Sequence, residues 1–550
     1  MTTWKLLSQE EVTSQNLFSI LLKNRNIGKK DEESFLHPTL ESITFQTTGI
    51  DKKEADIAVV RIKKAIKNRE SIVVYTDYDA DGVSGGAILW ETLYKLGGHV
   101  MPYVPHRVRE GYGLSKLGIE NIKKEFNPAL LITVDHGITS GEKVEYAKHL
   151  GMDVIILDHH LIPKNPPKPF ALVHTTGLCA SGISWFFSNY LRSVVKEISF
   201  EELKKNYLDL AVIGTVADLV PLTGPNRAIV KFGLERLNNT KRLGLLALIE
   251  QSGLKDKEID TYHIGHIIAP RINAMGRITH AMDALRLLCT TDGKRARELA
   301  RILGYTNTNR QDLTRESTDI AFEMVKKDES ILIISHEEFN EGIIGLVAGK
   351  LTEKYNKPSV VMSLGKEFAK ASARSVAGFN IVEFFREEIG WFVDVGGHPM
   401  AAGFTVKLEN VEKLQEVLEK KAKKILKGRK MEKEIPVDAQ LPLSALDTKL
   451  LKTVELLKPF GVANPEPVFL SKNAEIVEKR FVGKTGSHLK IKIKDSKNNT
   501  YYEAMGFGMG ERVSEFIENN HLDIVYRVCE NEWNGEKKLQ LTLIDVKVSN

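Results

Sequence analysis

The stretch "VVYTDYDADGVSGGA", residues 73–87, places three carboxylates directly after an apolar run. Asp77, Asp79 and Asp81 occupy alternate positions, and glycines follow at 82, 85 and 86. The β-branched run predicts a buried strand, and the glycines let the backbone approach a helix start, where phosphate binds readily. Three like charges at a strand end raise one another's pKa values unless a cation lies among them.

The surrounding sequence repeats this arrangement. Between about residues 51 and 285, short apolar runs alternate with helix-length connections, which predicts a doubly wound parallel sheet. One predicted strand is the run "LAVIGTVA", which precedes Asp218. The polar residues at the predicted strand ends are Asp77, Asp79, Asp81, Asp135, His136, Asp158, His159, His160 and Asp218.

The carboxyl ends of parallel strands meet at one edge of a sheet, so these side chains are expected to lie together. A single Asp after a strand is usually a turn former or a helix N-cap, and for Asp218 alone that interpretation is favoured. It explains neither the alternate aspartates nor the adjacent histidines. Four such ends together predict a cation cluster.

The donor types indicate which cation this cluster binds. Carboxylates and imidazoles without cysteine disfavour structural zinc and suit manganese or magnesium. There are enough oxygen ligands for two ions that share a carboxylate. Two ions about 4 Å apart clamp the attacking water and the leaving oxygen of a phosphoryl transfer. Metal-assisted phosphoester hydrolysis is therefore the predicted chemistry.

Composition limits the class of protein. Of the 550 residues, 42% are hydrophobic and 27% charged, which predicts globular domains with large cores. The formal charge of +5 permits a polyanionic partner without requiring one. Three scattered cysteines predict free thiols in a reducing cytoplasm. The expected location is cytoplasmic, with no membrane association, because no signal pattern or run of about 20 apolar residues occurs.

The chain divides by texture. The predicted divisions are a lead segment at 1–50, an α/β phosphoesterase domain at 51–285, a connecting helix at 286–328, a second, smaller α/β domain at 329–430 and a β-rich tail at 431–550. In the tail, "HLKIKIKDSKNNTYYEAMGF" alternates strictly around a turn. A second hairpin is predicted with Asn534 and Gly535 at its tip.

Basic and polar side chains outside the acid motifs are candidate phosphate ligands, since guanidinium groups, hydroxyls and backbone amides bind oxyanions. "RINAMGR" is interpreted as a short glycine-containing turn, with the alternative that Arg271 and Asn273 merely fix the connecting helix. The loop "VPHRVREGYGL" offers a phosphate clamp and a stacking tyrosine, although Arg109 fits an ordinary charged loop equally well. The candidates are Arg107, Arg109, Tyr112, Arg271, Asn273, Arg277, Ser372, Arg374 and His398.

These motifs together carry a family resemblance. "DYDADG", "VDHG", "DHH" and "GTVADLVPL", in this order, resemble the DHH phosphoesterase superfamily. "APRINAMGR" (269–277), "SARS" (372–375) and "GGHPMAAGF" (396–404) narrow this to the RecJ single-stranded-DNA-specific exonucleases. The resemblance covers nearly the whole chain. It implies a manganese- or magnesium-dependent exonuclease that degrades single-stranded DNA from the 5′ end in recombination and repair.

The resemblance also implies residue roles. By analogy, one ion is bound by Asp77, Asp79 and Asp135, and the other by Asp81, Asp135, His159 and Asp218. His160 faces the scissile phosphate and, with Asp135 and Asp81, forms the catalytic set. Implied partners are single-stranded DNA, a RecQ-type helicase and a single-strand-binding protein, with the enzyme acting as a monomer.

The β-rich tail carries lysines that are candidates for DNA binding. Lys490, Lys492 and Lys494 share one face of "LKIKIK"; this predicts either a solvated strand face or, with the resemblance, an OB-type barrel that binds single strands. Candidate stacking aromatics are Tyr501, Tyr502 and Trp533.

A small-substrate DHH phosphoesterase, acting on short oligonucleotides or cyclic dinucleotides, is the main alternative, but such relatives generally lack this tail. A catalytically dead scaffold is disfavoured because every expected metal ligand is present.

Overall fold

The computed structural model describes residues 2–549 except 11, 14, 327, 428–432, 484–485, 496–498, 511–520 and 534–535, and it does not describe the side chains of 531–537. The chain forms two compact units. One contains residues 49–218 and 236–433, and the other contains 2–48, 219–235 and 434–549. The chain opens with β1 (Thr2–Leu6), α1 (Leu17–Asn24), α2 (Glu32–Leu36) and α3 (Phe45–Thr48).

The first unit begins with a parallel sheet of five strands in the order β3-β2-β4-β5-β6. The strands β2, β4 and β5 are almost wholly buried, which matches their continuous apolar sequence. The elements here are α4 (Lys52–Lys67), β2 (Ser71–Thr76), α5 (Ala80–Lys95), β3 (His99–Tyr103), α6 (Lys116–Phe126), β4 (Leu130–Val134), α7 (Gly141–His149), β5 (Asp153–Asp158), β6 (Ala171–His174), α8 (Ala180–Lys196), α9 (Phe200–Leu203) and α10 (Leu208–Ala217). The predicted parallel-sheet domain is confirmed.

The run "LAVIGTVA" is not the predicted strand. It forms most of α10, and Asp218 is the C-cap of that helix. Residues 208–216 are all buried, so this helix shows no amphipathic period. A continuous apolar run of this length fits a buried strand and a buried helix equally well, which explains the wrong prediction.

Helices continue to the end of the connecting region. They are α11 (Gly224–Asn238), α12 (Leu243–Gln251), α13 (Thr261–His263), a π-helical turn (Ile264–Ile268), α14 (Ala269–Ile278), α15 (Met282–Cys289) and α16 (Gly293–Met324). "RINAMGR" therefore lies in α14, and not in a turn as predicted. Gly276 is required for packing, because a Cβ there would lie 2.6 Å from the Tyr78 carbonyl oxygen.

The second α/β region has a mixed sheet in the order β10-β11-β9-β8-β7, in which only β7 and β8 pair in parallel. Its elements are β7 (Leu332–His336), α17 (Ile344–Tyr355), β8 (Ser359–Leu364), β9 (Phe368–Arg374), α18 (Ile381–Arg386), a 3₁₀ turn (Ile389–Trp391), β10 (Phe392–His398), β11 (Ala401–Lys407), a 3₁₀ turn (Leu408–Asn410) and α19 (Val411–Leu426). This confirms the smaller α/β domain.

The other unit contains a closed five-stranded barrel, because β14 pairs with both β15 and β17 while β16 and β18 complete the circle. This confirms the OB-like tail. The elements are β12 (Lys433–Val437), β13 (Ala439–Gln440), a 3₁₀ turn (Leu443–Ala445), α20 (Thr448–Glu455), β14 (Phe469–Val482), β15 (His488–Asp495), β16 (Thr500–Gly506), β17 (His521–Trp533) and β18 (Glu536–Val548). The predicted hairpin tip, Asn534 and Gly535, lies outside the described residues.

Residues 2–48 belong to the barrel unit. Leu17, Leu21 and Phe35 lie in the same hydrophobic core as the barrel strands. The buried Arg25 guanidinium donates to Asp438 Oδ1 at 2.9 Å and to Asn464 Oδ1 at 3.0 Å. The sequence analysis predicted the lead segment and the tail as separate divisions, but their shared core and hydrogen bonds place them in one unit. Within the described part of the chain, no helix is both long enough and apolar enough to cross a bilayer.

Candidate metal centre

Three strands and one helix deliver acids and imidazoles to the carboxyl edge of the parallel sheet. Asp77 follows β2, Asp135 follows β4, and Asp158, His159 and His160 end or follow β5, as the sequence predicted. The fourth contribution, Asp218, comes from the end of α10.

Ligand atoms in this cluster lie close enough to share cations. Two three-residue groups, Asp77–Asp79–Asp135 and Asp81–His159–Asp218, each have their ligand atoms within 4.8 Å of one another. The groups meet where His159 Nε2 lies 3.2 Å from Asp135 Oδ1. On the other side of the imidazole, Nδ1 lies 3.6 Å from Asp218 Oδ2. The first group has the members of the first ligand set that the family resemblance implied, and the second group lacks the Asp135 of the second set. A third group, Asp135–His159–His160, meets the same distance limit.

The backbone holds these acids in place. Asp79 is the N-cap of α5, and its Oδ1 accepts from the amides of Asp81 and Gly82 at 3.0 Å each. Asp81 accepts from the amides of Ala180 and Ser181, at 2.7 and 2.9 Å, at the start of α8. Positively polarised helix starts thereby stabilise two of the carboxylates, and both are aimed into the cluster.

Asp135 has a strained backbone. Its φ of +70° is in the left-handed region, which side chains other than those of Gly, Asn and Asp rarely adopt. Its amide still donates to the Leu157 carbonyl oxygen at 3.0 Å, as a continuation of the sheet. Strain of this kind persists where the surrounding structure needs a side chain in one position.

The electrostatics show an uncompensated negative charge. Burial, followed by the neighbouring carboxylates, raises the pKa values of Asp77, Asp79 and Asp135. The same two causes raise the pKa of Asp218 to about 8. Asp77 Oδ1 and Asp135 Oδ1 are buried and accept no hydrogen bond among the described residues, and the nearest imidazole nitrogen to Asp135 Oδ1 is His159 Nε2 at 3.2 Å. Buried carboxylate oxygens without donors, arranged in two groups with an imidazole and no thiolate, fit hard divalent cations such as manganese and magnesium.

His160 is held by Asp158, a strand-end residue to which the sequence analysis gave no role of its own. Asp158 accepts from His160 Nδ1 at 2.8 Å and from the amides of Ile138 and His159. Burial opposes ionisation of Asp158, but the His160 contacts and backbone amides hold its pKa at about 2. In return, Asp158 raises the pKa of His160 against the effect of burial. The quoted motif "DHH" contains this residue, so its pairing with the second histidine was the available signal.

His136 is a second neighbour of the cluster. It is buried, and its ring packs edge-to-face against that of Tyr75 with the two centroids 5.1 Å apart. Burial lowers its pKa to about 4. Within the part of the chain that the structure describes, neither ring nitrogen has a hydrogen-bond partner. It belongs to none of the groups that could hold a metal ion, so of the two polar residues of "VDHG" only Asp135 does.

A cleft of about 650 Å³ provides the positive side of the centre. Its wall includes Tyr78, Arg107, Tyr112, Arg277, Ser372 and Arg374. Burial, followed by Arg107 and Arg374, lowers the pKa of Arg277 to about 10. Three guanidinium groups near one another, without a matching number of acids, fit a phosphate-bearing ligand.

The other predicted residues have different surroundings. Arg109 is exposed and is not part of the wall. His398 is exposed, with its ring 6.4 Å from that of His160. Asn273 accepts from the Ala80 amide at 2.7 Å, so it supports the start of α5. Arg271 donates to the Ile267 carbonyl oxygen and to Gln251 of α12, and neither of these partners lies in the connecting helix that the structural alternative named.

The barrel places its candidate residues on two faces. The side chains of Lys490, Lys492 and Lys494 point away from the core, and Tyr501 is exposed beside Lys492. Tyr502 is buried and donates to the Leu446 carbonyl oxygen at 3.1 Å. The prediction that Tyr502 stacks on a base is therefore wrong, because side chains alternate along β16 and that of Tyr502 points into the core. The Trp533 side chain lies outside the described residues.

Sequence comparison identifies three family regions. Residues 71–215 match the DHH family N-terminal domain, residues 328–424 match the DHHA1 domain, and residues 437–545 match the RecJ OB domain. The single-stranded-DNA-specific exonuclease RecJ of Bacillus subtilis is 36% identical over 99% of this chain and 69% of its own length. The Thermus thermophilus protein of that name is 31% identical over 89% of this chain and 70% of its own length.

Solved structures agree with this fold. The crystal structure of RecJ from Thermus thermophilus in complex with Mn²⁺ superimposes with a TM-score of 0.85 at 26% identity. The match covers 100% of this chain and 80% of that chain. A second structure, of the same protein with Mg²⁺, gives a TM-score of 0.80.

Proposed function

The chain belongs to the RecJ family of single-stranded-DNA-specific exonucleases, and from that premise we propose that it is a metal-dependent exonuclease that hydrolyses phosphodiester bonds of single-stranded DNA. The observation that carries this proposal is the pair of ligand groups that meet at Asp135 and His159. The relatives with Mn²⁺ and Mg²⁺ support the choice of cation.

Two ions are proposed at this centre. Asp77, Asp79 and Asp135 would bind one, and Asp81, Asp135, His159 and Asp218 would bind the other. When bound, manganese or magnesium supplies a Lewis acid and acidifies a coordinated water. The buried Asp77 Oδ1, which accepts no hydrogen bond among the described residues, supports this assignment.

The remaining residues bind and orient the strand. Asp158 fixes the His160 ring and favours its protonated form, so His160 can donate a proton from Nε2, which lies 3.3 Å from the Tyr112 hydroxyl oxygen. Arg107, Arg277 and Arg374 would neutralise the phosphate, with Ser372 and His398 at its edges. Asn273 acts indirectly by supporting α5, and Arg109 would contact the strand outside the cleft.

Direction and cellular context are proposed from the family resemblance. Degradation would proceed from the 5′ end, in recombination and repair in the cytoplasm. A RecQ-type helicase and a single-strand-binding protein would supply the substrate to a monomeric enzyme. The predicted division into 1–50, 51–285, 286–328, 329–430 and 431–550 is likewise proposed, with the first and last parts forming one unit.

The test is digestion of DNA labelled at either end. Single- and double-stranded substrates, with and without a 5′ phosphate, are incubated with the protein in chelator, manganese, magnesium or calcium. We expect mononucleotides to be released progressively from the 5′ end of single strands. Activity should require manganese or magnesium, because calcium binds at longer distances and is a weaker Lewis acid.

Two outcomes would contradict the proposal. Full activity after exhaustive chelation would remove the metal assignment. Cleavage of only very short oligonucleotides or cyclic dinucleotides, with long single strands untouched, would support the small-substrate phosphoesterase instead.

A further inference from the structure

A second cavity, of about 730 Å³, lies at the opposite end of α5 from the metal centre. The helix begins beside Asp79 and Asp81, and its last two turns contribute Trp90, Tyr94 and Lys95 to the cavity. From Asp81 to Tyr94 the helix axis spans roughly 20 Å at 1.5 Å per residue. This cavity is therefore separate from the cleft described above.

Positive charge dominates its wall. The charged residues that line it are Lys95, Arg192, Arg236, Lys241, Arg242, Glu91 and Asp209. The two acids are already engaged: Glu91 pairs with Lys95 at 3.0 Å and with Arg242, whose Nε lies 3.7 Å from Asp209. Within the described part of the chain, Arg192, Arg236 and Lys241 form no ion pair or side-chain hydrogen bond. Three cations thus face the cavity without a counter-ion.

Aromatic rings provide the second component. Trp90 and Tyr94 are stacked, with centroids 5.5 Å apart and an interplanar angle of 18°. Tyr94 is 63% exposed, so the stack can be extended by another flat ring. Trp90 is fixed by its indole N–H, which donates to the Val100 carbonyl oxygen at 3.3 Å. A rigid aromatic pair beside unpaired cations is the combination that binds a base together with its phosphate.

The backbone adds a weaker contribution. Helix α12 begins at Leu243 in the cavity wall, and its N-cap residue, Arg242, provides no side-chain acceptor for the first amides. A helix start of this kind favours a negative group nearby. The cavity volume is also within the ordinary range of small-ligand sites, about 300–1,000 Å³.

We propose that this cavity is a second nucleotide site, which binds a nucleoside phosphate with its base on the Trp90–Tyr94 pair and its phosphate on Arg192, Arg236 and Lys241. The ligand is either a free mononucleotide or one nucleotide of a strand. In both cases the recognised chemistry is the same. Because the proposed reaction occurs at the far end of α5, the site is separable from hydrolysis.

The test uses fluorescence from the full-length protein in chelator, where strands are not cleaved. Deoxyadenosine 5′-monophosphate is titrated, with deoxyadenosine and deoxyribose 5-phosphate as probes that lack the phosphate or the base. We expect saturable quenching by the nucleotide and at least about tenfold weaker binding of either fragment. The chain has five tryptophans, so Trp90→Phe is the variant that assigns the signal, which it should abolish.

A double variant tests the cations. Arg236→Ala with Lys241→Ala should weaken nucleotide binding by about tenfold or more. Lys63→Ala with Lys67→Ala removes the same charge from exposed positions of α4 and should leave binding unchanged. With metal restored, both double variants should digest a short strand at the parent rate. That result separates a failure of this site from a failure of the proposed exonuclease.

The source of the nucleotide is decided by a second titration with an oligo-dT carrying a 5′ phosphate. Tighter quenching by the oligomer than by the mononucleotide assigns the site to a strand; quenching by the mononucleotide alone assigns it to a free nucleotide. The proposal is overturned if neither probe quenches saturably, or if the signal survives in Trp90→Phe. It is also overturned if an acidic peptide binds where both nucleotide probes fail.

Discussion

The candidate metal centre and strand β15 of the barrel differ in whether their charged side chains are buried and paired. In the metal centre, Asp77, Asp135 and their neighbours are buried, of one sign and so close that their pKa values rise. On β15 of the barrel, lysines face outward and acids of adjacent strands lie beside them. Lys490 Nζ is 2.9 Å from Glu503, and Lys494 Nζ is 3.9 Å from Glu475.

Buried charges of one sign require a ligand, whereas exposed charges of mixed sign do not. Exposed, mixed charges cost little, and each pair contributes about 0–1 kcal/mol, so a fold can carry them with no partner. Buried carboxylates of one sign destabilise the native state unless a cation completes them. The absence of compensation is therefore a stronger functional signal than the number of charges.

The strongest test of this comparison is Asp135→Asn. Asparagine keeps the shape and tolerates the left-handed backbone at this position, whereas alanine would add strain. We expect hydrolysis to fall by at least about a thousandfold because a shared metal ligand is lost. The melting temperature of the metal-free protein should stay the same or rise, since one repelling charge is removed. Cleavage of labelled single strands and thermal melting are the measurements.

Asp256→Asn is the control, because Asp256 is exposed and lies outside the ligand groups. Near-parent turnover by folded Asp135→Asn would refute the shared-ligand assignment. A large fall in melting temperature would instead show that the acid is needed for folding.

A smaller effect is expected for Asp158→Asn. The amide can no longer stabilise the protonated His160 ring, although it can still occupy the same space. Loss of such a supporting contact typically costs about 10–100-fold in activity. Turnover should fall while the KM for a short strand changes little, and the limb of the pH–rate profile that reports His160 should move to lower pH. An unchanged profile would remove the positioning role.

The pH dependence of stability gives a third test. Asp218 has its pKa raised to about 8, so between that value and its ordinary 3.8 the native metal-free protein holds a proton that the unfolded chain lacks. Its free energy of unfolding should therefore fall as pH rises through this window. Manganese, which binds the ionised acids, should raise the melting temperature more at about pH 8 than at about pH 5.5.

Melting curves at several pH values, with and without manganese, provide the measurement. Asp218→Asn should flatten the metal-free slope. An equal manganese effect at both pH values would argue against proton release from the cluster.

The smallest effect is expected on the barrel. Lys492 lies over the Tyr501 ring at 4.8 Å, and among the described residues no acid pairs with it, unlike Lys490. If this face contacts DNA, Lys492→Ala should lower the salt slope of oligo-dT binding by about 0.7, which is the value for one phosphate of a single strand. Lys490→Ala should change the slope less. Equal slopes for both variants and the parent would assign the face to solvation alone.

The sequence predicts the acid edge well because strand, acid and glycine are local patterns. It places Asp77, Asp135 and His159 correctly since parallel strands share a carboxyl edge. It fails for the segment before Asp218, because a wholly buried run shows no amphipathic periodicity that would distinguish a helix from a strand. It also fails for "RINAMGR", where Gly276 allows close packing and does not form a turn.

Other features depend on contacts between distant residues, which a single sequence does not specify. Ala180 and Ser181 bind Asp81 through backbone amides, whose donors are the same for every residue type except proline. Tyr501 and Tyr502 are the same residue type at adjacent positions, and only the register of β16 decides which one is exposed. The supporting role of Asp158 required the orientation of the His160 ring.

The packing of residues 2–48 into the barrel unit has a consequence for biosynthesis. The ribosome makes this segment before its partner, residues 434–549, with nearly 400 residues between them. At about 5–20 residues per second, the segment waits roughly 25–100 s before its partner is complete. During that interval the apolar side chains of Leu17, Leu21 and Phe35 lack their native partners, while the phosphoesterase region between them can already fold.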